Sequence, residues 1–337
     1  MTYILAIVSF FVTAFTIGSL RSPGVHYPFS HKKIANLNYF HNENGARGYL
    51  YHGQTKKIAI IGSSTAYGLG VPLDKFWGQL LRLNLPYDMH VESFGRENLG
   101  DLDLIDVVEN LASKGMHYDL VITINSFLVN RKMPYDNNTE AFYQRSFDDI
   151  FKRLSLWFDY KLQQSLLFHQ DRVTDNSKTD FFFDPSFRQS NPGLFISHDS
   201  AITEKQQNQV FKNLKKYDKS LRKISTHQVY VTDFFAYAEN LNPKMLAKYQ
   251  AVKRIGKTDT YYDAPSLGKF FKNRREMNKN AVQSLGLNFF DWEPSLLPLV
   301  NSEENDIFID EVHIGSRGSE IFAKAMAEHI LQTIPKM

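Results

Sequence analysis

Apolar and polar positions repeat along this chain in two registers, and the switch between them predicts an order of elements. Short strand-like runs stand at Ile58–Ile61, in MHVESF (89–94) and in DLVITI (119–124), the last nearly all apolar, as expected of a strand in the middle of a parallel sheet. Between them the period changes to that of a helix. Asp74–Leu83 is one such segment, with Asp74 as its cap, Trp77 in its first turn, and Leu80 and Leu81 facing inward. Leu104, Ile105, Val108 and Leu111 define another over Leu102–Ala112. Strand, helix, strand, helix, strand is the mark of right-handed crossover units.

The pattern then breaks. From Thr139 to Phe168 a helical stripe carries Phe142, Phe147, Ile150, Phe151, Leu154, Trp157, Phe158 and Leu162, which predicts an extra core layer. The segment FFFDPSFRQSNPGLF after it either packs on a core or lines a groove. Crossover order resumes with a basic amphipathic helix over Glu204–Ile224, whose Val210, Leu214, Leu221 and Ile224 face inward. HQVYVTDFF is the fourth strand. A second irregular insertion, a helix ending near Leu285, the strand GLNFFDW and a last helix packing Ile321, Phe322, Ala325 and Ile330 complete the series. The predicted architecture is a flavodoxin-like, three-layer α/β/α domain over residues 57–337, doubly wound around a parallel sheet of about five strands. Insertions fall at about 131–202 and 236–263, and residues 21–56 read as a linker.

Composition narrows the partners. The net charge of the 337 residues is +3, with no concentrated basic run, so nucleic acid is not an expected partner. Cysteine is absent, which removes disulfides, thiol catalysis and thiolate metal sites. His26, His31, His41 and His52 match no metal-ligand spacing and read as ordinary loop histidines. Residues 3–20, YILAIVSFFVTAFTIGSL, carry no charge and end at Arg21. With no basic residue before the run and a poor small-residue cleavage site, an uncleaved N-terminal anchor is expected over a removed signal. The domain would then be membrane-tethered and extracytoplasmic.

The chemistry centres on KIAIIGSSTAYGLGV (57–71), where a buried strand delivers Ser64 to the carboxyl edge of the sheet. The loop lacks the lysine that a phosphate cradle uses. Acyl transfer needs a hydroxyl, a base, an orienter for that base and donors for the developing oxyanion. Asp310 and His313 stand three apart in IDEVHIGSRG, after the last strand of the same inferred sheet. That spacing lets a carboxylate hold one imidazole nitrogen while the other faces the serine.

GSSTAYGLGVPLDKFWGQLL together with DEVHIGSRGSEIFA resembles the SGNH, or GDSL-type, hydrolases, closest to members whose first block reads GGST. The resemblance implies Ser64 as nucleophile, His313 as base and Asp310 as its orienter, with no cofactor. In that family the oxyanion donors are the serine's own amide, a block-two glycine amide and a block-three asparagine. Block two lies within VESFGRENLGDLD: spacing to the final small residue selects Gly100, and alignment from Phe94-Gly95 selects Asn98. In block three Leu128 stands at the position of the asparagine, so Asn125 or Asn130 is the replacement donor, or the donor is missing. The expected activity is hydrolysis of an ester-linked acyl group on a carbohydrate or cell-envelope polymer. The alternatives are an O-acyltransferase and a catalytically silent envelope binding or assembly protein.

Overall fold

The computed structural model describes residues 41–42, 44–95, 101–125, 195–196, 201–232, 261–262, 264–300, 307–308 and 312–334. β1 (Lys56–Gly62) starts with two lysines and then buries five residues in succession. Ile58 and Ile60 face one core while Ala59 and Ile61 face another, as the two-residue period of a strand requires. The chain turns at once into α1 (Ser64–Tyr67), passes a 3-10 turn (Leu73–Lys75) and enters α2 (Trp77–Asn84). β2 (Met89–Ser93), α3 (Asp101–Ser113) and β3 (Tyr118–Ile124) follow. Next come the two-residue β4 (Phe195–Ile196), α4 (Glu204–Leu221), β5 (Ser225–Val231) and the two-residue β6 (Tyr261–Tyr262). α5 (Ala264–Ser284), α6 (Glu293–Val300) and α7 (Ser316–Thr333) close the series.

β2, β1, β3 and β5 form one parallel sheet in that order. The fifth position is a single parallel bridge between Tyr230 and Phe289, made by Tyr230 N–H to Asn288 O at 2.9 Å and Phe290 N–H to Tyr230 O at 2.8 Å. Six residues separate the end of the α5 turn at Gly286 from α6 at Glu293, and of these Phe289 makes the bridge. Counted along the chain the sheet runs 2-1-3-4-5, the flavodoxin-like order. α2, α6 and α7 cover one face and α3, α4 and α5 the other.

Other expectations change in detail. Asp74 does not cap α2: it sits exposed in the 3-10 turn, and the N-cap is Phe76, which makes no side-chain cap bond. The backbone is extended at Phe76 so that its ring can be buried, and this separates Asp74 from the helix. α6 forms where no element is expected, because EPSLLPLV carries two prolines; Leu296 and Val300 reach the core in spite of Pro298 inside the helix. β4 and β6 pair in parallel, Phe195 with Tyr261 and Ile196 with Tyr262, so the two predicted insertions meet. The N-terminal run 3–20 and the aromatic stripe over Thr139–Phe168 lie outside the described residues. Among the described residues, no helix is long and apolar enough to cross a membrane.

Candidate active site

In a 2-1-3-4-5 sheet the ligand crevice opens between β1 and β3 at their carboxyl ends, because the crossovers leave in opposite directions there. The register pairs Gly62 with Ile124, so β1 delivers Ser63 and Ser64 to that point and β3 delivers Asn125 beside them. Gly62 is demanded by proximity. A Cβ at this position would lie 2.2 Å from the carbonyl oxygen of Ile124, so the strand could not pass so close with any side chain.

Ser64 opens the four-residue α1 directly behind its N-cap, Ser63, and is half-buried. Its partner arrives from the far end of the chain. Phe308 and Ile314 form an antiparallel bridge, and Gly315 N–H donates to Ile307 O at 2.9 Å, which pins both ends of the loop that carries His313. α7 starts immediately after it, with Gly315 as N-cap. The two halves meet at hydrogen-bond distance: His313 Nε2 lies 2.8 Å from Ser64 Oγ across 249 residues of sequence. In the imidazole tautomer protonated on Nδ1, the Ser64 hydroxyl donates to Nε2, the pairing that a general base requires.

Ser64, His313 and the crevice thus coincide at the carboxyl ends of β1 and β3. No family model and no curated protein matches the sequence. Among solved structures, the chain is similar to a lipolytic protein of the G-D-S-L family from Veillonella parvula DSM 2008. Identity is 13% and the TM-score 0.44, over 83% of this chain and 99% of that one. It is also similar to a catalytic mutant of the acetylxylan esterase Axe2 from Geobacillus stearothermophilus, at 12% identity and a TM-score of 0.42 over 83% of this chain and 95% of that one. A third is LAE5, an alpha/beta hydrolase enzyme from the metagenome of Lake Arreo, Spain, at 12% and 0.41 over 83% of this chain and 96% of that one. The chemistry rests on the residues of this chain.

The other predicted site residues fall unevenly. Asn125 is described: it is buried at the carboxyl end of β3, and its N–H donates to Val231 O at 3.0 Å. Asp310, Gly100, Asn98 and Asn130 lie outside the described residues, as does Leu128. Gly95, just before the block-two candidates, packs its backbone straight onto α1, where a Cβ would stand 2.3 Å from Tyr67 N. The second loop therefore begins in contact with the Ser64 turn.

The fold also uses residues that sequence reasoning passed over. Residues 41–42 and 44–48 of the predicted linker are packed on the domain, with Asn42, Ala46 and Arg47 buried, whereas Tyr49, Leu50 and Tyr51 are exposed. His41 and Arg47 form an antiparallel bridge around Asn44-Gly45, and Arg47 exchanges two backbone hydrogen bonds with Ser93 at 2.8 and 2.9 Å. Asn-Gly is a strong hairpin dipeptide, and it was the signal available. Glu92 fastens this hairpin by accepting from Asn42 Nδ2 at 2.6 Å, Asn44 Nδ2 at 2.7 Å and Tyr118 Oη at 2.8 Å, with His90 Nε2 at 3.3 Å. Burial pushes its carboxyl up, but the bonds from His90, Asn44 and Tyr118 outweigh this and hold it below the usual carboxylate range.

Proposed function

We propose that this chain is a serine-dependent ester hydrolase in which Ser64 is the nucleophile, His313 the general base and Asp310 the residue that orients His313. The observation that carries the reading is the 2.8 Å approach of His313 Nε2 to Ser64 Oγ at the topological switch point of the sheet. Ser64 attacks the acyl carbon as its proton passes to His313 Nε2, which then returns that proton to the leaving alkoxide. Water, deprotonated by the same nitrogen, releases the acyl group and frees Ser64. The Ser64 amide at the start of α1 supplies one oxyanion donor. Gly100 or Asn98 from the second loop, and Asn125 or Asn130 from the third, are the proposed remainder.

The proposed substrate is an acyl ester on a carbohydrate or cell-envelope polymer, reached by a domain tethered through residues 3–20. That class follows from the family resemblance and from the uncharged N-terminal run. The test uses the purified full chain, a fluorophosphonate probe and p-nitrophenyl acetate. Wild type is labelled, Ser64→Ala is not, and His313→Ala loses roughly 10⁴-fold or more in turnover. Equal labelling of wild type and Ser64→Ala, or labelling of neither, sinks the nucleophile assignment.

A further inference from the structure

Each carbonyl from Ser63 to Gly68 is held, and the partners come from different parts of the chain. Ser63 O accepts from Tyr67 N–H at 3.0 Å and Ser64 O from Leu69 N–H at 3.1 Å, which are bonds within the turn itself. Beyond these the turn relies on outside donors. Thr65 O, which also accepts from Gly68 N–H at 3.1 Å, accepts from Trp77 Nε1 at 3.2 Å, and Ala66 O accepts from Ser93 Oγ at 2.7 Å. Tyr67 O accepts from Arg47 Nη1 at 2.6 Å, Gly68 O accepts from the same nitrogen, and Val71 O accepts from Arg47 Nη2.

A helix of one turn leaves its last carbonyls without partners of its own, and a cation at that end also complements the helix dipole. Arg47 fills both needs. Its guanidinium is fully buried, set against the rings of Tyr67 at 5.1 Å and Phe76 at 4.9 Å. Tyr67 is gripped twice, because its hydroxyl also pairs with His41 Nε2 at 3.1 Å, from the other arm of the hairpin. Burying a cation is costly, and an apolar side chain of similar volume would fill the same space without that cost. What such a side chain cannot do is fix three backbone carbonyls at set positions, which the planar fork of arginine does and the single ammonium of lysine does not.

We infer that Arg47 is the positioning residue of the nucleophile turn: by clamping Tyr67, Gly68 and Val71 it sets where Ser64 Oγ stands relative to His313 Nε2. The inference rests on the reading of Ser64 as nucleophile, but half of its test does not. Arg47 itself is held to the sheet through Ser93 and through the Glu92 cluster, so the register of the turn is taken from β2 as well as from β1.

The experiment compares wild type, Ser64→Ala, Arg47→Lys and Arg47→Met as full chains. Two readouts are taken on protein shown to be folded by near-UV circular dichroism: kcat and KM for p-nitrophenyl acetate, and the ¹⁵N resonance of His313 Nε2. Displacing reacting groups by about an ångström costs on the order of 10²-fold in rate. The expected result is a 10- to 100-fold loss of kcat in Arg47→Met with KM within about twofold, and partial recovery in Arg47→Lys. The His313 resonance of both variants moves toward its position in Ser64→Ala, where the hydrogen bond is gone. Folded variants with wild-type kcat and an unmoved resonance overturn the inference, as does failure of Arg47→Lys to fold, which would make Arg47 a folding residue only. Should wild type prove inactive, the nucleophile reading falls, and the His313 resonance alone decides whether Arg47 positions Ser64.

Discussion

The two faces of the sheet are packed by different chemistry. Over β1 and β3 on one side lies a cluster of large rings: Trp77 meets Phe76 at 5.4 Å and Phe322 at 5.0 Å, and Phe322 meets Trp292 at 4.7 Å. On the other side the fill is aliphatic, with tyrosines whose hydroxyls are paired inside the core, Tyr217 with Thr123 at 3.1 Å and Tyr230 with Asp218 at 3.2 Å. Burial, first of all, drives both of these hydroxyls well above the ordinary tyrosine range. The ring face touches both halves of the site. Trp77 holds Thr65 in the Ser64 turn, and Phe322 lies in α7, which begins just past His313. One core therefore ties Ser64 to His313, and the other supports the sheet.

The sharpest way to break this contrast is Trp77→Ala against Leu214→Ala, measured by urea unfolding and by turnover per folded molecule. Truncating a buried tryptophan costs about 3–5 kcal/mol and a buried leucine about 2–5 kcal/mol. Stability alone does not separate the two. Turnover does: Trp77→Ala lowers kcat in the folded fraction, whereas Leu214→Ala leaves it unchanged. Equal losses of kcat would show that the two faces are not specialised.

That contrast was only half visible in the sequence. β1 and the Ser64 turn were legible because a run of β-formers meets Gly62 and the serines, and the His313 loop because Asp310 and His313 stand three apart after the last predicted strand. Val210, Leu214, Leu221 and Ile224 are all buried as their spacing requires. What escaped was anything decided by distant partners. Arg47 sits between glycine and alanine in a stretch without periodicity, and nothing local says that its charge will be buried. The helix α6 was hidden by its prolines, and Asp74 was displaced from its capping position by the burial of Phe76. The oxyanion candidates other than Asn125 fall outside the described residues.

A smaller effect probes the hairpin that carries Arg47. Glu92 has its carboxyl held below the usual range, so it contributes stability that is complete above the ordinary carboxylate pKa and is lost as pH falls through the lower folded value. Glu92→Gln costs about 1–3 kcal/mol at neutral pH, since one amide cannot accept every bond the carboxylate accepts. The gap between wild type and variant narrows below about pH 4.5, the unperturbed value. A gap that stays constant with pH would mean that Glu92 is not ionised in its cluster. Smallest of all is Tyr217→Phe on the tyrosine face, at about 1 kcal/mol, with Thr123→Val added to it returning most of the loss. Neither changes kcat, and a drop in kcat would extend the site to the face assigned only support.

The pairing of Ser64 with His313 also has a consequence in time. A ribosome adding about 5–20 residues each second needs roughly 12–50 s to make the 249 residues from Thr65 to His313. Throughout that interval Trp77 has no Phe322 to cover it, and Ser64 has no His313 beside it. The nascent chain therefore carries an uncovered tryptophan until α7 docks, and the same step brings His313 to Ser64.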